Sequence, residues 1–473
     1  MKNLVLLVVL ATTFTALSLQ AGWIKTYGGE DDESGYVIQG TSDGGFVVFG
    51  NIVSGAGSSD IWLLKTDAQG DTLWTKTYGG QAPEYCYCGQ QTVDGGYILA
   101  GYTESFGAGI RDIWLLKTDE AGDTLWTKTY GGPQYDAAYW VQQTEDGGYI
   151  ITGHRDGPNY YMSGDMWLLK TDPHGDTMWT RTYGEDRTDF GNHVSQTSDG
   201  GYIIACYALY SQATSKAIAI MKTDSAGDTV WTYRAGSSMN CIQQTTDNAY
   251  VSAGQTNDGD LVLVKLDEDG SLVWEKTYGD MREDHYDFGY CVQETSDGCY
   301  IVAGAYSWEW SGYSFENGDA WLLKTDSEGD TLWTRLYGEN PQEDDARWVL
   351  QTSDGGYILT GSTETWASAG SDLLLMKTNS EGLIDAVKEE PIVDSRVNWQ
   401  IISPVGQKIV LRYSDRPDGF CAEIFDAAGR KVDQMHCTAP SGTLIWGEGY
   451  TPGVYFIREV YRPAAIQKVI LIP

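Results

Sequence analysis

Residues 60–80 read DIWLLKTDAQGDTLWTKTYGG. Nearly the same text returns as DIWLLKTDEAGDTLWTKTYGG from Asp112 and as DMWLLKTDPHGDTMWTRTYGE from Asp165. More altered copies begin at Ala217, Asp260, Asp319 and Asp372. The shared lysine falls at Lys65, Lys117, Lys170, Lys222, Lys265, Lys324 and Lys377, at intervals of 52, 53, 52, 43, 59 and 53 residues. Self-similarity at such a period marks a repeat architecture.

Each copy reads as two strands joined by a tight turn. WLLKTD is a short apolar run, and TLWTKTY alternates large and polar residues as a half-buried strand does. A second hairpin precedes each copy; in the third it is WVQQT, EDGG and YIITG. Its turn Asp recurs at Asp43, Asp94, Asp146, Asp199, Asp247, Asp297 and Asp354, each with a Thr two residues earlier. One repeat is therefore four strands in two hairpins, and no stretch has useful helical periodicity. Such units are propeller blades, each unable to bury its faces alone. The expected fold class is all-β, a seven-bladed β-propeller followed by a small β-sandwich-like C-terminal domain. Trp23, Trp74, Trp126, Trp179, Trp231, Trp274 and Trp333 recur once per repeat. A buried Trp removes about 150–250 Å² from water, so these are read as packing between blades.

The first WIKTYGG arrives at Trp23 without three preceding strands, and the seventh repeat decays into SEGLIDAV. Ring closure by Trp23 to Tyr27 in the last blade accounts for both ends; pairing by GLIDAV is the alternative. Closure leaves no open sheet edge. With alternating strands, the two tight turns share one face and the long, variable loops share the other. Gln91, Gln143, Gln196, Gln244, Glu294 and Gln351, with Gly40 in the first repeat, form a polar row on the strand expected to line the channel. They are read as hydrogen-bonding backbone and channel water.

The chain has 473 residues and a formal net charge of −35. Residues 392–473 hold nine Lys and Arg against eight Asp and Glu, so the rest carries about −36. Such a surface repels nucleic acid and anionic membrane. Solubility explains the acids; Ca²⁺ in the acid-rich loops is the sharper alternative, and no other cofactor is implied. Cys88, Cys241 and Cys291 share one repeat position with Val, Trp or His and read as small core residues. Cys421 and Cys437 flank a hairpin and could be cross-strand neighbours, with a disulfide as one outcome. Residues 1–21 read as a secretory signal peptide, with Lys2 before an apolar run. The propeller is expected over 22–387, a charged linker over 388–396, and a small all-β domain over 397–473. No segment of the mature chain could span a membrane as a helix.

The tail resembles the type A C-terminal sorting domain of type IX secretion cargo. The carriers are Ser403-Pro404, IFDAAGRKV, GTLIWGEGYTPGVYFIR and the closing Lys468-Val-Ile-Leu. Ser403 stands where the family usually has Asn. The resemblance implies the type IX machinery as partner through residues 397–473, export by way of periplasm and outer membrane, and then removal of the tail to give a secreted or cell-surface product. The repeats resemble secreted propellers with text such as QTSDGGYIITG. Their Asp-x-x-Gly turn and following Trp are also similar to the docking repeats of quinoprotein propellers. The turn is one residue shorter there and eight blades are usual, so the resemblance does not extend to a quinone cofactor.

No Gly-x-Ser-x-Gly, His-Glu-x-x-His or phosphate loop occurs, and the five histidines form no metal spacing. No catalytic residue stands out. The long-loop face carries Trp308, Trp310, Tyr313 and Phe315 in the sixth repeat, Tyr160 and Tyr161 in the third, and Trp366 in the seventh. Flat aromatics beside carboxylates suit a glycan or a protein partner. The expected function is a propeller binding module. A polysaccharide hydrolase or lyase using loop-face carboxylates, and a structural surface protein without a small ligand, are the alternatives.

Overall fold

The computed structural model describes residues 22–54, 58–157, 164–184, 189–208, 217–235, 237–279, 285–310, 315–316, 318–338, 342–367, 370–384, 399–403, 405–406, 408–414, 420–426, 430–447, 449–451, 453–459 and 466–471. The expected signal peptide and linker lie outside them. Every regular element among them is a strand. The chain divides into two compact units, Met1–Ala386 and Val387–Pro473.

The first unit holds seven sheets of one plan. Blade 1 runs Glu33–Gly40, Phe46–Ser54, Ser58–Thr66 and Thr72–Tyr78, hydrogen-bonded in that order. Blades 2 to 6 repeat it, opening with Glu84–Gln91, Tyr135–Gln143, Asp189–Gln196, Ser237–Gln244 and His285–Glu294. Blade 7 has Asp344–Gln351, Tyr357–Thr363 and Asp372–Thr378, and its fourth strand is Trp23–Tyr27. Trp23 pairs with Lys377 and Tyr27 with Leu373, antiparallel. Each opening strand packs beside the next, and that of blade 7 beside that of blade 1. The chain is a seven-bladed propeller whose ring is closed by its N-terminal strand.

The repeated letters have local causes. On the tight-turn face Thr92 Oγ1 donates to Asp94 at 2.5 Å and Gly96 N–H donates to it at 3.1 Å. The buried Lys117 ammonium reaches Asp94 at 3.0 Å and the Thr118 carbonyl at 2.8 Å. The same lysine–aspartate pair occurs in all seven blades, from Lys65–Asp43 to Lys377–Asp354. Each lysine thereby ties the third strand to the first hairpin's turn.

The outer strand of each blade grips the next. Gly122 of blade 2 sits at φ +77°, and a Cβ there would meet the Trp74 ring of blade 1. Tyr78 Oη donates to the Gly122 carbonyl at 2.6 Å, and Lys76 meets Asp123 at 2.8 Å. Trp23 stands against Gly70 in the same way, and Trp333 against Gly382. Each Trp also meets a ring of the following blade, as Trp126 meets Tyr149 at 6.0 Å. The tryptophans do pack between blades, but they are half-buried, and the tyrosines under them are the fully buried rings.

The second unit has two sheets. One orders Trp399–Ser403, Ile409–Tyr413 and Gly442–Trp446; the other orders Val405–Gly406, Ile466–Leu471, Gly453–Glu459, Phe420–Asp426 and Lys431–Cys437. Ile409, Leu411, Phe420, Ile424, Trp446 and Ile457 are among the residues of one core. The expected neighbours Cys421 and Cys437 are not paired: Cys421 lies opposite His436 and Cys437 opposite Phe420. Successive strand residues point to opposite faces, so the one-residue offset separates the two thiols, and both are free.

Candidate functional site

The opening strands line the central channel and run from the long-loop face to the tight-turn face. Each has a register shift at the same place, such as Gly35/Val37 and Cys86/Cys88. The residue inside the shift is Tyr36, Tyr87, Tyr139, Asn192, Asn240, Tyr290 or Arg347, always seven before the turn Asp. These residues form a belt. Tyr36 and Tyr87 lie 5.5 Å apart, Tyr87 and Tyr139 5.2 Å. Asn192 Nδ2 donates to the Met239 carbonyl at 3.0 Å, and Asn240 Nδ2 to that of Gly289 at 3.0 Å. The Arg347 guanidinium stands 4.3 Å from the Tyr36 ring centre and 2.9 Å from Asp345.

The next position closes the channel. It holds Val37, Cys88, Trp140, His193, Cys241, Cys291 and Trp348. Trp140 stacks on Trp348 at 4.7 Å and meets the His193 ring at 4.0 Å, tilted by 37°. Blades 3 and 7 are not neighbours in the ring, so the two indoles meet across the axis. Small residues fill the remaining places, which is what the three cysteines do; all three are buried. Burial pushes the pKa of His193 down to about 3, so this imidazole is neutral.

Below this plug the polar row staples the turn face. Gln143 Oε1 accepts from Val93 N–H at 2.9 Å, Gln196 Oε1 from Glu145 N–H at 2.9 Å, and Gln351 Oε1 from Ser296 N–H at 2.8 Å. A second set works the same way, with Gln39 Oε1 taking Gln91 N–H and Gln90 Oε1 taking Gln143 N–H, each at 2.7 Å. The amides satisfy backbone donors of neighbouring blades, as the sequence suggested.

Above the plug, at the seam of blades 7 and 1, lies a cavity of about 350 Å³. Arg347, Asp345, Ser34 and Tyr85 line it from the channel side; Glu33, Asp344, Glu343 and Glu364 are among its walls. Asp345 is fixed by Arg347 and by Ser362 N–H at 2.8 Å. Asp344 takes Thr365 Oγ1 at 2.5 Å and also the Thr363 hydroxyl. Burial raises the pKa of both Asp344 and Glu33, with Asp372 adding to the effect on Glu33. Neither carboxyl is peculiar to this cavity. Glu84, Asp136 and Asp287 hold the same place near the start of their own opening strands and are equally buried.

Of the aromatics expected at the site, Trp366 is half-buried against the core, and its backbone N–H donates to Thr363 Oγ1 at 3.3 Å. Trp308, Trp310 and Phe315 lie on strands, with Trp310 opposite Phe315, but their side chains fall outside the described residues. Tyr160, Tyr161 and Tyr313 lie wholly outside them. Tyr85 and Arg347, which line the cavity, and Tyr36 beneath Arg347 were not singled out by sequence. The column seven before the turn Asp carries the signal for Tyr36 and Arg347: it holds only Tyr, Asn or Arg, so a side chain able to hydrogen-bond recurs there in every repeat. Among the described residues no group of three or more His, Cys, Asp or Glu could hold a metal ion, and no helix is long and apolar enough to cross a membrane.

No family model and no curated protein matches the chain. Solved structures do. PorZ, an essential surface component of the type IX secretion system of Porphyromonas gingivalis, is 9% identical with a TM-score of 0.47; the match covers 94% of this chain and 60% of that one. A protein of unknown function from Bacteroides caccae is 13% identical with a TM-score of 0.39, over 61% of this chain and 93% of that one. The extracellular domain of a one-component system from B. thetaiotaomicron is 10% identical with a TM-score of 0.32, over 95% and 68%. At these values none of the three bears on what this chain binds.

Proposed function

We propose that the chain is an exported binding module, displayed at the cell surface or released, which takes a glycan or protein ligand on its long-loop face. The cavity beside Arg347 carries this reading. The two faces of the propeller differ in kind. The turn face also holds a cavity, of about 400 Å³, but the Gln90, Gln143 and Gln196 amides that line it are engaged in repeated staples, whereas the loop-face mouth is a closed-bottomed cup of unlike residues. A dead-end cup with a charged and aromatic lining suits capture better than passage. Trp308, Trp310, Tyr313, Phe315, Tyr160, Tyr161 and Trp366 are proposed as its rim. The tail is proposed to direct export through the type IX machinery, following its motif resemblance, with residues 1–21 as the signal peptide.

The test is a glycan and protein binding screen of the mature full-length chain. Glu343→Gln with Glu364→Gln, and separately Trp308→Ala with Trp310→Ala, should weaken binding of the ligand found while leaving the melting temperature unchanged. Binding that survives both double variants places the ligand elsewhere. A chain ending near Val387 should accumulate in the periplasm; equal export with and without the tail would overturn the sorting role.

The hydrolase reading draws on the two buried carboxyls of raised pKa in one cavity. Their recurrence at other seams, where no such cavity need be served, favours a structural task for them.

A further inference from the structure

Five seams on the loop face bring two acids together, one at or near the start of a blade's third strand and the other near the start of the next blade's opening strand, with a glycine between them. A Cβ on Gly28 would strike both Glu33 and Asp372, one on Gly131 both Asp112 and Asp136, and one on Gly338 both Asp319 and Asp344. The carboxylate oxygens of the last pair therefore lie no more than about 5 Å apart. Between blades 4 and 5 the two positions are Ala217 and Ser237. Both acids are lost there together, so the two act as a unit.

Two carboxylates this close, in surroundings that solvate charge poorly, do not both ionise readily; one proton shared between them relieves the repulsion. The seams on either side of blade 7 carry this furthest. Burial, then Asp344, raises the pKa of Asp319. Asp344 is raised by burial against the hydroxyls of Thr363 and Thr365, with Asp345 adding to the rise. The cation of this wall, Arg347, is held by Asp345 at 2.9 Å. On the other side Glu33 faces Gly29 N–H at 3.0 Å, together with Asp372, Asp31 and Asp32.

We propose that each seam flanking blade 7 holds one proton between its paired carboxyls, and that this proton makes closure of the ring pH-sensitive. Blade 7 is the blade completed by Trp23–Tyr27. Acid tightens it; loss of the protons loosens the N-terminal strand and the cavity wall that Glu33 and Asp344 share. The sign follows from linkage. A carboxyl raised above its unfolded value contributes stability that is complete below the ordinary carboxylate range and is lost as pH rises through the folded value. The inference stands whether or not the cavity binds a ligand.

The experiment uses the full chain and the double variant Asp319→Asn with Glu33→Gln, in which an amide replaces one acid of each pair. Amide exchange of Trp23–Tyr27, corrected for intrinsic rate, is compared at pH 5 and pH 8. The parent should open about tenfold more at pH 8; the variant should show little change. Thr229–Ala235, beside the acid-free seam, serves as the internal control and should stay flat in both proteins. Infrared spectra of the parent at neutral pH should show a protonated-carboxyl stretch that the variant loses. An equal pH response in parent and variant, or no such stretch in the parent, overturns the proposal. Should the double variant fold poorly, Asp344→Asn alone must still halve the parent's response on the logarithmic scale, and an unchanged response there has the same force.

Discussion

Trp140 and Trp348 stack at 4.7 Å although one belongs to blade 3 and the other to blade 7. Their contact makes the channel a cup rather than a pore, and it spans the ring where no backbone does. Trp348 is buried, and truncation of a buried Trp costs about 3–5 kcal/mol through lost transfer and the cavity left behind. Trp348→Ala should lower stability by that amount in urea unfolding. The double variant with Trp140→Ala should lose less than the sum of the singles, by more than about 0.5 kcal/mol, the coupling expected of residues in contact. Additive losses would mean that the rings do not support each other.

Closure predicts a weak point at Trp23. This Trp is half-buried against the turn that holds Gly70, so Trp23→Ala should cost about 2 kcal/mol, roughly half the figure for a fully buried one. Removing residues 22–27 altogether should do more, because it bares the edge of Asp372–Thr378. An uncovered edge strand templates pairing with another chain. The truncated protein should form higher oligomers by size-exclusion chromatography; a stable monomer would show that residues after Asn379 can complete blade 7.

Most of this architecture is written in the repeat. The period, the tight-turn glycines and the stray strand at Trp23 are local features, and they are enough to place seven blades and the closing strand. The lysine–aspartate pairs were visible as letters at fixed offsets, though not as bonds. The site was far less legible. Tyr36 and Arg347 stand at one repeat position, yet only the ring geometry shows that they meet. Tyr85 and Asp345, two residues earlier on their strands, enter the cavity because the alternation there faces the channel. Trp140 and Trp348 share their repeat position with Cys88, Cys241 and Cys291, which read as small core residues, and nothing in a linear reading says that two of seven equivalent side chains cross the axis. The aromatic loops drew attention by composition, which is blind to how a side chain packs; Trp366 turns back onto the core.

The tail's cysteines give a direct chemical prediction. Cys421 and Cys437 sit one register step out of line on adjacent strands, on opposite faces. The chain with its tail retained should therefore titrate eight thiols per molecule when denatured without reductant, the full complement of the sequence. Six thiols, with two recovered after reduction, would require the Phe420–Asp426 and Lys431–Cys437 strands to shift register.

The acid limb of the stability curve should belong to the turn-face pairs. The Thr41 hydroxyl and Lys65 hold Asp43 down to about 2, and Thr245 and Lys265 do the same for Asp247. Asp199 reaches about 2 against the desolvation that would raise it, through Lys222 and Thr197. These groups titrate near 3.8 when unfolded. A depressed folded value contributes stability that is present above 3.8 and is lost as pH falls through about 2. The aspartates are half-exposed, so each contributes modestly, but seven act in the same direction. The raised carboxyls beside blade 7 act the other way, gaining as pH falls towards the ordinary range. Denaturant midpoints should therefore rise on going from pH 8 to about pH 5, then fall below about pH 4. Lys170→Met separates the two limbs. It removes the cation from half-exposed Asp146, which keeps Thr144 and Gly148, without touching a seam, so it should cost about 1 kcal/mol or less at neutral pH. It should also flatten the acid limb while leaving the slope between pH 5 and 8 as in the parent. A variant that changes the upper slope instead would place the neutral-range titration on the turn face, away from the paired acids.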